Sequence, residues 1–205
     1  MLTLYQRTDC PFCWKVRLAL TELGLEYRIE SISLGEKHPV LARLSPTGTV
    51  PVLVDGDTVI WDSAVILEYL NDRYGSRQLF NGGPAMQAKV RLLHSYSDKI
   101  AGGCLRDLVF EKRSKPECEW DPAIIQGSEM KWRDCHAWLE RELGENTFFG
   151  EGYSAADCAL AARFGVADAY GAVVSDECRG LKRWYQHVIN RASWKLAYPS
   201  SFLRT

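Results

Sequence analysis

The chain has 205 residues, of which 46% are hydrophobic, and its 25 basic side chains nearly balance its 26 acidic ones. This is the composition of a globular protein with room for two small domains, and a net charge of -1 argues against nucleic acid or an anionic membrane as partner. No apolar run could span a bilayer and no secretory signal is visible, so we expect a cytoplasmic protein. Seven cysteines, an odd number, do not resemble a secreted disulfide framework.

The N-terminal part of the chain alternates strand and helix patterns. Strands are predicted at residues 2–6, 27–32, 52–54 and 58–61, and helices at residues 11–23, 38–44 and 62–74. The last two strands flank Asp55-Gly56-Asp57, which is typical of a hairpin turn. The order β-α-β-α-β-β-α predicts an α/β domain with a mixed four-stranded sheet covered by helices.

The remainder of the chain shows only helical patterns. A turn-rich stretch at residues 75–84 indicates a linker. Beyond it, helices are predicted at residues 85–112, 122–143, 154–170 and 177–190. We therefore expect an α/β domain over residues 1–76 and an all-α domain over residues 85–205.

The motif Cys10-Pro11-Phe12-Cys13 lies where the first strand gives way to the first helix. Proline favours the first helical position, which places Cys10 at the N-cap, where free backbone N–H groups and the helix dipole stabilise a thiolate. Cys10 is therefore the predicted nucleophile. Cys13 leans toward the apolar helix face, where it either resolves a disulfide on Cys10 or simply packs.

The paired cysteines have two other interpretations. A metal site needs further ligands, but the other cysteines and the four histidines have no ligand spacing with the pair, so no metal is expected. Two inert packing cysteines are the second alternative, because free cysteine is often a small buried hydrophobe. The proline at the helix start favours the redox interpretation over both.

Two further segments predict ligand contacts. A cis Val50-Pro51 bond would leave the backbone of Val50 free to pair with an extended peptide, whereas a trans proline would simply begin a strand. Ser63 opens a helix and offers a carboxylate site, while Asp62 either accepts from an ammonium group or only caps the helix. Lys37 is on its own an ordinary surface lysine.

Together these motifs resemble the glutathione transferase superfamily, over nearly the whole chain. The resemblance is carried by the Cys10 motif, the turn at residues 48–53, Asp62-Ser63, and Ser154-Ala155-Ala156-Asp157, a capping box with a structural role. It implies a thioredoxin-like N-terminal domain, an all-helical C-terminal domain and a homodimer. A cysteine at the reactive position is similar to the omega-like and glutaredoxin-like branches, although Cys13 and Asp62 are not the usual residues at their positions.

The resemblance also implies where glutathione, the expected co-substrate, would bind. Its sulfur would meet Cys10, its glycine carboxylate Lys37, and its γ-glutamyl end Asp62 and Ser63. In the same arrangement the peptide would pass Phe12 and pair with Val50 beside Pro51.

Three functions follow as hypotheses. The first is a glutathione-dependent thiol transferase or reductase, in which Cys10 forms a mixed disulfide while a small disulfide or electrophile is the second substrate. The second is conjugation of glutathione to an electrophile, or isomerisation, since residues 14–17 are similar to the zeta-like branch. The third is a binding module without catalysis.

The all-α domain is expected to supply the second-substrate pocket over Cys10. Its first long helix presents Tyr96, Lys99, Ile100, Cys104 and Leu108 at helical spacings, and Gly102-Gly103 would let a substrate or a neighbouring helix approach closely. For each of these residues an ordinary core or dimer contact is the favoured alternative.

Overall fold

The computed structural model describes residues 1–33, 35 and 38–202. Four strands, β1 (Leu2–Gln6), β2 (Tyr27–Ser31), β3 (Val52–Asp55) and β4 (Thr58–Trp61), form one mixed sheet in the order β2-β1-β3-β4. β1 pairs in parallel with β2 and antiparallel with β3, and β3 and β4 form the predicted hairpin.

Three helices accompany this sheet: α1 (Pro11–Glu22), α2 (Pro39–Leu44) and α3 (Ser63–Tyr74). Both α1 and α2 begin with proline, whose φ is already helical. Leu4 of β1 and Leu53 of β3 are fully buried, which anchors the centre of the sheet in the core. Because β1 is an interior strand that ends at Gln6, shortly before α1 begins, the Cys10 motif lies at the C-terminal end of a central strand.

The second part of the chain is helical. Its helices are α4 (Pro84–Tyr96), α5 (Gly102–Ser114), α6 (Pro122–Leu143), α7 (Ala155–Ala169), α8 (Arg179–Ile189) and α9 (Ala192–Ala197). In the described part of the chain, no strand follows Trp61. The predicted fold class, a thioredoxin-like α/β domain followed by an all-helical domain, is confirmed, while the exact domain bounds stay a prediction.

The single helix predicted over residues 85–112 is wrong in one respect. A π-helical turn, Ser97–Ala101, separates α4 from α5 within a backbone that stays helical. A π-turn holds one residue more than an α-turn. The residues of α5 therefore face a different direction than they would if α4 and α5 formed one continuous α-helix. The short helix α9 was not predicted.

The capping box before α7 forms as expected. The Ser154 backbone N–H donates to Asp157 at 2.9 Å, and Asp157 also accepts from the Phe149 backbone at 3.0 Å and from the Trp184 indole at 2.8 Å. Asp157 is fully buried, and these hydrogen bonds offset the free-energy cost of burying its carboxylate away from water. They fix α7, the central helix of the second domain, against α8.

Helices α1 and α7 lie side by side, and the main hydrophobic core contains residues of both domains, while Ile32, Leu41 and Val52 form a separate small cluster. Of the helices described, none combines the length and the apolar character that crossing a membrane requires.

Candidate active site

Cys10 occupies the N-cap of α1, as predicted. Its backbone is extended, with φ -77° and ψ 119°, and its carbonyl accepts the first helical hydrogen bond from Trp14 at 2.9 Å. The residue is only 5% exposed. That small exposed surface nevertheless borders two cavities, so a ligand in either one can reach the thiol.

The environment of Cys10 favours its thiolate. A hydrogen bond with the Cys13 thiol is the largest influence and lowers the pKa of Cys10 to about 6, although burial opposes ionisation. The backbone N–H groups of Cys13 and Phe12 and the charge of Arg7 act in the same direction.

Cys13 is the buried partner of this pair. It has no exposed surface, and its sulfur accepts from the Arg7 backbone N–H at 3.5 Å. Burial, and the hydrogen bond with Cys10, raise the pKa of Cys13 well above its usual value. The two thiols therefore have opposite tendencies, one to ionise and the other to stay protonated.

A large cavity of about 1100 Å³ is lined by most of the residues that the sequence predicted as ligand contacts. Among the predicted site residues, it is lined by Cys10, Phe12, Val50, Pro51, Asp62 and Ser63. The Val50–Pro51 bond is cis, which is the one of the two alternatives that would leave the Val50 backbone free for a ligand. Lys37 lies outside the described residues. The structure thus brings six predicted residues to one cavity. Cys13 is buried next to Cys10 and does not line the cavity.

Asp62 caps α3 and borders this cavity at the same time. One of its carboxylate oxygens accepts from the backbone N–H groups of Ala64 at 2.8 Å and Val65 at 3.3 Å. Its φ of 70° is rare for a residue with a side chain, and such conformations are held where the surrounding structure requires them. Ser63 beside it is 5% exposed, so the pair offers a carboxylate and a hydroxyl near the start of a helix.

A second, smaller cavity of about 410 Å³ lies on the other side of Cys10. Arg7 and residues 9–12 border it on the side of the N-terminal domain, and residues of the π-turn, of α5 and of the end of α7 border it on the other side. The ring of Phe12, which is 36% exposed, belongs to both cavities. Two separate substrates can therefore approach the same sulfur.

The helix face predicted to line the second cavity is only partly correct. Lys99 and the glycines Gly102 and Gly103 line it, but Tyr96, Ile100, Cys104 and Leu108 do not. Instead the sulfur of Cys104 contacts that of Cys135 on α6 at 3.4 Å. The π-turn explains the outcome for Cys104 and Leu108, because it shifts the faces of α5 by one residue, so that Leu105 and Val109 line the cavity in their place.

A buried polar cluster under Phe12 was missed in the sequence. The Lys15 ammonium, 1% exposed, contacts His94 at 2.6 Å and donates to Asp98 at 2.5 Å. Arg163 of α7 lies 3.6 Å from the same carboxylate and 4.4 Å from the centre of the Phe12 ring. Burial, together with the nearby Lys15 charge, lowers the pKa of His94 to about 4, so this imidazole is neutral near pH 7.

One signal for this cluster was present in the sequence. Arg163 is the only basic residue of α7, a helix otherwise made largely of small and apolar side chains. A lone charge in such a helix must find a partner or border a polar site, because an unpaired buried charge is costly. Its partner Asp98 is distant in sequence, so only the fold identifies it.

Comparison with known protein families matches both parts of the chain. The model for the glutathione S-transferase N-terminal domain matches residues 4–78, and that for the C-terminal domain matches residues 135–192. Glutathione S-transferase GstB of Escherichia coli is 28% identical over 93% of this chain and 94% of its own length. A stringent starvation protein A homologue of Haemophilus influenzae is 38% identical, but the match spans only 45% of this chain and 44% of that protein.

Solved structures agree with these matches. FzlA from C. crescentus is similar with a TM-score of 0.87 and 27% identity, over 96% of this chain and 91% of that one. A glutathione S-transferase from Methylobacillus flagellatus with GSH bound has a TM-score of 0.81 and 25% identity, over 97% of this chain and all of that one. From its two matched domains, its fold and its relatives, the chain belongs to the glutathione S-transferase superfamily.

Proposed function

We propose that the protein is a glutathione-dependent thiol transferase in which Cys10 forms a transient disulfide with glutathione. The observation that carries the proposal is the thiol of Cys10, whose pKa is lowered to about 6, at the junction of two cavities. At neutral pH most of this thiol is thiolate, the form that attacks a disulfide sulfur. Membership of the superfamily supports a glutathione-dependent activity.

Glutathione would occupy the large cavity. The backbone of Val50, beside Pro51, would pair with the peptide, and Phe12 would lie along its cysteine. The γ-glutamyl carboxylate would meet Ser63 and the start of α3, while Asp62 would face the ammonium group. Lys37 remains the proposed partner of the glycine carboxylate. This assignment is supported by the shared cavity and by the family to which the chain belongs.

The reaction is a pair of thiol–disulfide exchanges. The Cys10 thiolate attacks the glutathione sulfur of a glutathionylated substrate, so a bond from Cys10 to glutathione forms and the substrate leaves as its thiolate. The thiolate of a second glutathione then attacks the same glutathione sulfur. This releases glutathione disulfide and restores the Cys10 thiolate. Overall, the mixed disulfide and one free glutathione become the substrate thiol and glutathione disulfide. A dehydroascorbate-type acceptor instead takes two electrons and two protons from two glutathione molecules, which leave as glutathione disulfide.

Cys13 has a supporting role in this reaction, as a hydrogen-bond donor to Cys10. Because its pKa is raised well above the usual value, it stays protonated at neutral pH and donates a hydrogen bond to the Cys10 thiolate. A protonated thiol is a poor attacking group, so a second glutathione rather than Cys13 would resolve the mixed disulfide. In the proposed mechanism, Cys10 forms the disulfide with glutathione and Cys13 only stabilises the Cys10 thiolate.

Reduction of hydroxyethyl disulfide by glutathione tests the proposal. Cys10→Ser should abolish the activity, and Cys13→Ser should retain a measurable part of it. Cys118→Ser removes an exposed cysteine far from the site and serves as the matched control. Wild-type turnover by the Cys10→Ser variant would refute the mechanism.

Conjugation or isomerisation is the alternative within the same family. In conjugation the protein only activates the glutathione thiol, and a cysteine at the reactive position is less suited to this because it becomes bonded to that thiol. A chloronitrobenzene electrophile assayed beside hydroxyethyl disulfide separates the two activities.

A binding module without catalysis is the second candidate. It is favoured by the match to stringent starvation protein A homologues, whose name describes no transferase. Retention on glutathione-agarose and a Cys10 pKa near 6 would argue for the enzyme, whereas a normal Cys10 pKa without retention would favour the module. A homodimer is also proposed, and sedimentation analysis would measure it directly.

A further inference from the structure

The small cavity beside Cys10 has apolar walls suited to a compact ring. Its apolar lining comes from Pro11, Phe12, Leu105, Val109, Val166 and Tyr170. A volume of about 410 Å³ lies within the range of small-molecule sites and fits one or two fused rings. The shape alone therefore favours an aromatic or other compact apolar substrate.

The charged side chains that line this cavity carry a net positive charge. Five cationic side chains border it, against two carboxylates, and each carboxylate is shared between two cations. Asp9 contacts Arg7 and Arg113, both at 2.7 Å. Asp98 contacts Lys15 at 2.5 Å and lies 3.6 Å from Arg163. Each carboxylate thus leaves one positive charge uncompensated.

Arg163 is the cation with the clearest need of an acceptor. It is 7% exposed, and its Nη2 atom has no hydrogen-bond partner among the described residues, because the Asp98 carboxylate lies beyond hydrogen-bond distance. An unpaired buried donor is costly, and such atoms are uncommon in folded proteins. Gly102 lies directly against the guanidinium, since a Cβ there would come within 2.8 Å of its Cζ atom. A side chain at residue 102 would displace this group.

Arg106 supplies a second, accessible cation at the rim. It is exposed, and its guanidinium lies 6.0 Å from the centre of the Phe110 ring, which also borders the cavity. Arg106 forms no ion pair within the described residues. An anion entering past Phe110 would meet Arg106 first and Arg163 deeper in.

We infer that the small cavity is the acceptor site for a small aromatic carboxylate, with Arg163 as the main carboxylate partner and Arg106 as a second one at the rim. The inference names the second substrate class of the proposed function and rests on it for the reaction. In that reaction, Cys10 attacks the glutathione sulfur of a mixed disulfide between glutathione and an aryl thiol that carries a carboxylate. The arylthiolate leaves within the small cavity while glutathione stays in the large one.

Binding of an unreactive probe tests the site without any chemistry. Calorimetry with 1-naphthoate and its neutral isostere 1-naphthamide should show the carboxylate bound at least about tenfold more tightly by the wild-type protein, as expected for a charge-assisted hydrogen bond. Arg163→Gln should bring this ratio close to one, and Arg106→Gln should lower it in part. Arg163→Lys keeps the charge and should retain an intermediate ratio.

Matched controls keep the test decisive. Arg183→Gln removes an exposed arginine of α8 that does not border the cavity and should leave the ratio unchanged. Equal binding of the two probes by the wild type, or a ratio that survives both Arg163→Gln and Arg106→Gln, would overturn the inference. Arg106 is at the surface, so its variant reports on the site even where replacement of Arg163 impairs folding.

Turnover separates a failure of this inference from a failure of the proposed function. The substrates are the mixed disulfides of glutathione with 4-mercaptobenzoate and with 4-mercaptobenzamide, compared by kcat/KM. The wild type should turn over the benzoate disulfide selectively, and Arg163→Gln should lose this selectivity without a change in the benzamide rate. That result supports both the acceptor site and the thiol transferase. Equal turnover without selective naphthoate binding refutes the acceptor site alone. Selective naphthoate binding without turnover of either disulfide refutes the thiol transferase and keeps the site.

Discussion

Gly165 of α7 faces the indole ring of Trp14 of α1 so closely that a Cβ at residue 165 would lie 2.2 Å from that ring. Trp14 has no exposed surface, and its ring also packs against Trp194 of α9 with centroids 4.7 Å apart. The backbone N–H of Trp14 donates to the carbonyl of Cys10. The missing side chain at residue 165 thus lets α7 support the helical turn that carries the reactive thiol.

Replacement of Gly165 by alanine should therefore destabilise the protein. Overpacking of a filled core typically costs about 1 to 3 kcal/mol, and urea unfolding measures this loss. Gly127→Ala is the matched control, because Gly127 lies inside α6 with open space around it. That change should stabilise the helix by about 0.5 to 1 kcal/mol. Equal stability of Gly165→Ala and the wild type would contradict the packing described.

The reactivity of Cys10 should follow its thiolate fraction. Its pKa is about 6, so the rate of alkylation by iodoacetamide should rise through pH 6 and level off by about pH 8. Cys13→Ala removes the main hydrogen bond to the thiolate and should move the midpoint upward by more than Arg7→Gln does. Mass spectrometry of the labelled peptide identifies the residue. A midpoint near 9 in the wild type would contradict the assignment.

The ion pair between Glu22 and Arg191 should contribute measurably to stability. The two side chains form parallel hydrogen bonds of 2.7 and 2.6 Å, Ser193 also donates to Glu22, and the Glu22 side chain is only 8% exposed. Glu22→Gln should cost about 1 to 3 kcal/mol of unfolding free energy, because it weakens a mostly buried bidentate pair between α1 and the α8–α9 turn.

The exposed pair of Arg28 and Glu30 provides the comparison. Its atoms are 2.8 Å apart, but the side chains of Arg28 and Glu30 are 65% and 37% exposed, so Glu30→Gln should change the stability by less than about 0.5 kcal/mol. Similar losses in the two variants would mean that burial does not strengthen the Glu22 pair.

Acid should destabilise the protein through two buried histidines. Burial lowers the pKa of both His94 and His136 to about 4, against 6.5 for an ordinary histidine. Below pH 6.5 the unfolded chain binds protons that the folded chain does not, so stability falls as the pH decreases from 6.5 to 4. The loss is up to about 3 kcal/mol for each histidine.

Substitution of one buried histidine isolates this effect. His136→Gln should flatten the curve of unfolding free energy against pH, and His187→Gln, at an exposed position, should leave its shape unchanged. Identical slopes in all three proteins between pH 6.5 and 4 would show that these imidazoles already carry protons in the folded state.

Local chemistry explains which parts of the site were predictable from sequence. The N-cap position of Cys10, the cap made by Asp62 and the turn at Val50–Pro51 depend on residues adjacent along the chain. Arg163 and Asp98 were missed because they meet only after α7 packs against the π-turn. The short helix α9 has too few residues for a periodic pattern, yet its Trp194 packs on the helix that carries Cys10.

The π-turn at Ser97–Ala101 has a consequence for how such a protein could diversify. A π-turn accommodates one extra residue within a single turn, so removal of one residue there would restore ordinary α-helical bonding without rotating α5. Arg106 and Phe110 would keep their places beside the small cavity, and only the residues of the turn, among them Asp98 and Lys99, would be shifted or lost. A single-codon deletion at this point would therefore change polar groups that border the small cavity while leaving the α5 wall that an acceptor meets.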